Sequence, residues 1–148
     1  MNVEEIIKTD QSIALNSRTI IHFMLVNNKI SEEISTALKP YDVSLQQFNV
    51  LRILRGQKGK PANLSTLNDR MVTKMSNTTR LVDKLLSKGY ANRKTCPSNR
   101  RKVEITITKR GEKELKKMDL AMNKAERKIL QNFNQKELEQ LNTLFNKF

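Results

Sequence analysis

The residues of this chain best equipped for chemistry with a partner are cations. Pro97-Ser98-Asn99-Arg100-Arg101-Lys102 sets three of them side by side, at what the flanking residues predict to be an exposed turn between two short strands, Tyr90 to Cys96 and Val103 to Thr108. Adjacent cations repel one another and ask for a counter-charge, and phosphate is the natural one. A second set, Ser76, Arg80 and Lys84, recurs every four residues with Asn77 beside it. On a helix these form one polar face, opposite Thr78, Leu81, Val82 and Leu85. Arg can grip guanine bidentately, Asn can do the same for adenine, and Ser or Thr can serve either base. A solvated helix face or an ordinary hairpin tip would show similar residues taken singly. Their adjacency is what points to duplex DNA.

Other chemistry has little to work with. A lone cysteine, Cys96, makes no internal disulfide, and a lone histidine, His22, lacks the partners of a zinc site, so no metal or cofactor is expected. Arg93, Lys94, Arg100 and Arg101 could lower the Cys96 pKa, but a quietly packed cysteine and a structural histidine are the expected roles. There is no phosphate-cradling glycine loop and no evident carboxylate pair, and neither Cys96 nor His22 sits in a nucleophile-and-base context, so an enzyme is not expected.

The charge is local. Residues 52 to 117 hold 19 Lys or Arg and 5 Asp or Glu, a net of +14, against 9 and 10 in the rest of the chain. The 148 residues suit one compact unit with helical extensions. No run approaches the roughly 18 apolar residues of a membrane span. Glu4 and Glu5 stand where a secretory signal would be basic. The expectation is a soluble, cytoplasmic chain with no membrane partner.

The elements that must position these cations follow from periodicity and caps. Between about Asp10 and Leu38 there is no Pro or Gly, and Ile13, Ile20, Phe23, Ile30, Ile34 and Leu38 share one face of a long predicted helix ending before Pro40. Ser44 and Gln47 form a capping box for a second helix, buried through Phe48, Val50, Leu51 and Leu54 and ending near Gly56. Pro61 is placed to open a third, striped by Leu64, Leu67 and Met71. Thr73 can cap a fourth that runs to about Lys88 and is closed by Gly89. The third and fourth make a helix-turn-helix candidate. After the strands, Thr108 can cap a long helix on which Leu115, Met118, Met122, Ala125 and Ile129 fall at spacings of 3, 4, 3 and 4, a seam for another helix. Asn134 with Glu137 caps a last helix carrying Leu138, Leu141, Phe145 and Phe148.

The run Met75-Ser76-Asn77-Thr78-Thr79-Arg80-Leu81-Val82-Asp83-Lys84-Leu85, then Lys88-Gly89-Tyr90, Asn99-Arg100-Arg101, and Ile105-Thr106-Ile107-Thr108 with Gly111, resembles the MarR family of winged-helix transcription regulators. The resemblance implies a mainly α fold with a small β-hairpin wing: a winged helix-turn-helix region over 44–111, flanked by dimerisation helices at 10–38 and 112–148. It implies a major-groove helix from about Lys74 to Lys88, with Lys74, Ser76, Asn77, Thr79, Arg80 and Lys84 as DNA contacts. The wing residues Asn99, Arg100, Arg101 and Lys102 would contact DNA as well, with Arg101 reaching the minor groove. Ile13, Ile20, Leu115, Met118, Met122, Ile129, Leu138, Leu141 and Phe145 are then expected at the dimer interface. Asn99 departs from the aspartate usual two residues before the wing arginine and offers a neutral hydrogen bond where an ion pair is usual.

The function implied is a sequence-specific regulator, a repressor, binding a pseudo-palindromic operator in double-stranded DNA as a homodimer and released by a small-molecule effector of unknown identity. The competing reading is a nonspecific structural DNA- or RNA-binding protein. The basic window holds only Tyr90 as an aromatic, which gives RNA bases little to stack on and favours duplex DNA.

Overall fold

A computed structural model describes residues 1–73, 77–96 and 99–148, and of residues 96 and 99–102 the backbone alone. Among these residues, seven helices and one two-stranded antiparallel ribbon follow in the order α1 (Val3–Ile7), α2 (Leu15–Leu38), a 3-10 turn (Lys39–Tyr41), α3 (Leu45–Gly56), α4 (Leu64–Arg70), α5 (Thr78–Ser87), β1 (Ala91–Cys96), β2 (Asn99–Ile107), α6 (Lys109–Leu130) and α7 (Gln135–Phe145). The mainly α architecture with a β-hairpin is as expected.

Local signals fixed most boundaries. Ser44 and Gln47 bond reciprocally across the first turn of α3, as do Asn134 and Glu137 at α7. Each box satisfies two amide groups that the helix start leaves without a carbonyl. α5 ends where Gly89 turns to φ 68°, with Gly89 N–H donating to the Leu86 carbonyl and Tyr90 N–H to that of Leu85. That paired closure uses the left-handed conformation glycine adopts without strain.

Four boundaries differ from expectation. The long first helix begins at Leu15, and the chain before it makes the separate α1, whose Val3 is fully buried and whose Glu4 pairs with Arg18 of α2 at 2.7 Å. Pro61 does not open α4: Asn63 caps it by accepting from Thr66 N–H, and Ala62 is drawn instead into a two-bond bridge with Ile105. α5 begins at Thr78 with Asn77 as its N-cap, so Thr73 does not cap it. The basic trio is not a free turn, since Asn99 to Lys102 belong to β2.

The core runs through the middle of the molecule: Leu38 of α2, Phe48, Leu51 and Leu54 of α3, Leu67 of α4, Val82 and Leu85 of α5, Ile105 of β2, and Leu115 and Met118 of α6. The seam on α6 is thereby used within the chain. Leu115, Met118 and Met122 are 0%, 0% and 6% exposed, which corrects their expected place at a dimer interface. Spacing of 3 and 4 announces a helix neighbour but not whose helix it is. α6 packs chiefly along α2 and α3, and Arg55 of α3 donates to Asp119 of α6 across that contact.

Candidate nucleic-acid interface

α5 divides cleanly into two faces. Thr78, Val82 and Leu85 are buried and Leu81 half-buried, while Asn77, Thr79, Arg80 and Lys84 are exposed. Thr78 Oγ1 donates to Asn68 of α4, joining the two helices of the helix-turn-helix. The expected contact residues on α5 therefore do share its open face. Lys74 and Ser76 lie outside the described residues, as do the side chains of Asn99, Arg100, Arg101 and Lys102.

The ribbon is held to α5 at its root by a compact set of hydrogen bonds. Thr108 donates its N–H to the Tyr90 carbonyl at 3.0 Å and its hydroxyl to the Gly89 carbonyl at 2.7 Å, and the same hydroxyl accepts from Gly111 N–H at 2.9 Å. The end of α5, the start of β1 and the start of α6 thus meet on one threonine. Gly111 is required there, because a Cβ would lie 2.1 Å from the Tyr90 carbonyl oxygen. Arg110 closes the outside with its guanidinium 5.7 Å from the centre of the Tyr90 ring, a cation–π contact.

Beyond the root the two strands pair regularly from Ala91↔Ile107 to Thr95↔Val103. Pairing then breaks, and Cys96 faces Asn99 where regular register would place Lys102. The three cations Arg100, Arg101 and Lys102 occupy this irregular stretch of backbone, the kind of break that bends a ribbon and turns it from its partner.

On its inner side α5 borders an open cleft of about 1050 Å³ against α2 and the first turn of α3. Its cations are Lys39, Arg80, Lys84 and Lys88. Lys88 is tied to Asp42, whose carboxyl is held below its ordinary range chiefly by that hydrogen bond. Arg80 and Lys84 thus belong to both the outer face and the cleft. Ion pairs bridging α5 to other elements, Lys88–Asp42 and Arg93–Asp83, were not foreseen from sequence. Their partners are 46 and 10 residues apart, and no local pattern announces such a meeting.

His22 is half-buried on α2. Among the described residues no cluster of metal-ligating side chains is present, and no helix is long and apolar enough to cross a membrane.

The family model described as MarR family matches residues 43–103, the stretch from just before α3 through the break in the ribbon. These residues form a MarR-family domain. Solved structures extend the likeness to the flanking helices. A MarR transcription factor from Planctomyces limnophilus is 25% identical, with 93% of this chain and 100% of that one covered at a TM-score of 0.74. A mutant E. coli MarR complexed with operator DNA is 24% identical over 90% of this chain and 93% of that one, with a TM-score of 0.75. BpsR of Bordetella bronchiseptica, described with its regulation of DNA binding by 6-hydroxynicotinic acid, is 17% identical over 93% and 96%, with a TM-score of 0.79. The MarR-type winged-helix fold therefore spans nearly the whole chain.

Proposed function

We propose that this protein is a sequence-specific, double-stranded DNA-binding transcription regulator, a repressor, which binds a pseudo-palindromic operator as a homodimer. The observation that carries the reading is the concentration of a net +14 within residues 52 to 117, a window that includes the open face of α5 and the ribbon of a MarR-family domain. α5 enters the major groove, where Asn77, Thr79, Arg80 and Lys84, with Lys74 and Ser76 preceding them, reach base edges and phosphates. The ribbon follows the adjacent minor groove, with Arg101 inserted. The helical ends bring two copies together so that their α5 helices stand about one DNA turn apart.

Release by a small anion fits the cleft behind α5. An anion held by Lys39 and Lys88 would draw Arg80 and Lys84 inward, away from phosphate. The operator-bound E. coli structure and the ligand-regulated Bordetella protein share this fold and support both halves of the proposal.

The test is fluorescence anisotropy on duplex DNA from upstream of the protein's own coding region, against a shuffled duplex of equal length at one near-physiological salt concentration. A preference of about a thousandfold or more is expected. Equal affinity there and for every other genomic duplex would replace the proposal with nonspecific nucleic-acid binding. On the preferred duplex, Arg101→Ala should cost about 1–3 kcal/mol, and unchanged affinity would remove the ribbon from the contact.

A further inference from the structure

Asp83 is the wrong charge for its position. It lies on α5 between Arg80 and Lys84, its side chain is 50% exposed, and it is one of 5 acidic residues in the basic window. A carboxylate this close to phosphate opposes binding, since charges within a Debye length of about 8–10 Å are poorly screened from one another. Its side chain accepts from Arg93 Nη1 at 2.7 Å. Arg93 issues from a firmly anchored rung of the ribbon. It pairs with Ile105, which is fully buried and exchanges two further backbone bonds with Ala62.

Two rungs outward the ladder breaks, at Thr95 and Cys96. The direction of everything beyond is therefore inherited from the rungs between Ala91 and Thr95. Among the described residues the ribbon is tied at its root, where Thr108 bonds the end of α5, and at Ile105, which is bridged to Ala62. Neither tie reaches the body of α5. The Arg93–Asp83 bridge does, one α-helical turn before the end of α5.

We propose that Asp83 is a positioning residue which, through Arg93, sets the angle between the ribbon and α5 so that both engage one duplex together. This rests on the reading of α5 and the ribbon as the DNA-contacting elements. A half-exposed ion pair contributes little to stability; its effect is on geometry, and without the Asp83 carboxylate the helix face would hold a shuffled duplex as tightly or more so, and the preferred duplex less tightly.

The experiment compares Asp83→Asn with the wild-type chain, each with and without Arg101→Ala, by anisotropy on the preferred and shuffled duplexes. Asp83→Asn is expected to weaken the preferred duplex about threefold while leaving the shuffled duplex equal or tighter, and to shrink the cost of Arg101→Ala. Exchanging the charges, Asp83→Arg with Arg93→Asp, should restore that cost. Simple loss of stability would weaken both duplexes alike.

Amide hydrogen exchange on the DNA-free chain gives a second readout. Asp83→Asn should speed exchange in β1 and β2 and leave α3 and α6 unchanged. An undiminished Arg101→Ala effect, or unchanged strand exchange, would overturn the proposal. A wild-type chain with no duplex preference would instead defeat the functional reading, and strand exchange would then decide this inference alone.

Discussion

The winged region and the helical ends solve opposite problems. Of the 15 large apolar side chains exposed among the described residues, only Val72 lies between residues 43 and 111. The winged region buries its apolar side chains in the central core it shares with α2 and α6 and turns charge outward. The ends do the reverse. They are electrically near balance, yet they leave Leu15, Ile20, Phe23, Met24, Leu144, Phe145 and Phe148 open to water. Exposed apolar surface on this scale marks an interaction face. Phe23 of α2 already gathers Phe145 and Phe148 at 6.2 and 5.8 Å between ring centres, so the two ends of the chain meet in one aromatic cluster. On the proposed function, the contrast separates a surface for a polyanion from a surface for a second copy of the chain.

The largest effect should come from breaking the apolar half of that contrast. Ile20→Glu with Phe145→Glu changes residues 56% and 50% exposed, so each copy should still fold. Sedimentation is expected to show a monomer, and affinity for the preferred duplex should fall about 100-fold or more with the loss of two-site binding. A dimer surviving intact would place the interface elsewhere.

A core change sharpens the distinction between the two uses of helix spacing. Leu115→Ala removes a fully buried side chain and should cost about 2–5 kcal/mol in urea unfolding. It should leave the oligomeric state of the folded fraction unchanged, because the side chain is enclosed in the chain's own core.

That pair of predictions also marks what sequence could tell. The capping boxes at Ser44 and Asn134 and the stop at Gly89 were legible because each is completed within three or four residues. The helix seam on α6 was legible as a seam, but its partner was not, since spacing encodes a face and not a neighbour. α1 escaped because five residues carry little periodicity. Of the turn expected over Pro97–Lys102, Asn99 to Lys102 belong to β2, because a run of charge signals an open position and not whether the backbone there is turn or strand. The fold and the open face of α5 were thus readable from local chemistry. The attachments that aim the ribbon, Thr108 to Gly89 and Arg93 to Asp83, exist only once the chain is folded.

Gly111→Ala tests the first of those attachments. The added methyl would fall 2.1 Å from the Tyr90 carbonyl oxygen and force α6 away from the root of the ribbon. A loss of about 1–3 kcal/mol in thermal unfolding is expected, together with weaker binding to the preferred duplex.

The smallest effect is in pH. The Asp42 carboxyl is held below its ordinary range chiefly by its hydrogen bond from Lys88, and that of Glu4 chiefly by its hydrogen bond from Arg18. Both folded-state values lie below the unfolded ones, so the stabilisation is complete above the ordinary carboxylate range, about pH 4, and is lost as pH falls through the lowered values. The melting temperature should hold between about pH 7 and 5 and decline below about 4. Asp42→Asn should make that decline shallower by a small, salt-sensitive amount, since the pair is exposed to solvent.

The division of labour between the two regions is tested most directly by selecting bound duplexes from a random DNA pool with the full chain and reading the enriched sequences. Two winged regions held by one apolar interface should enrich an inverted repeat whose half-sites are centred about 10–10.5 base pairs apart. Enrichment of no motif, or of one unrepeated half-site, would contradict it.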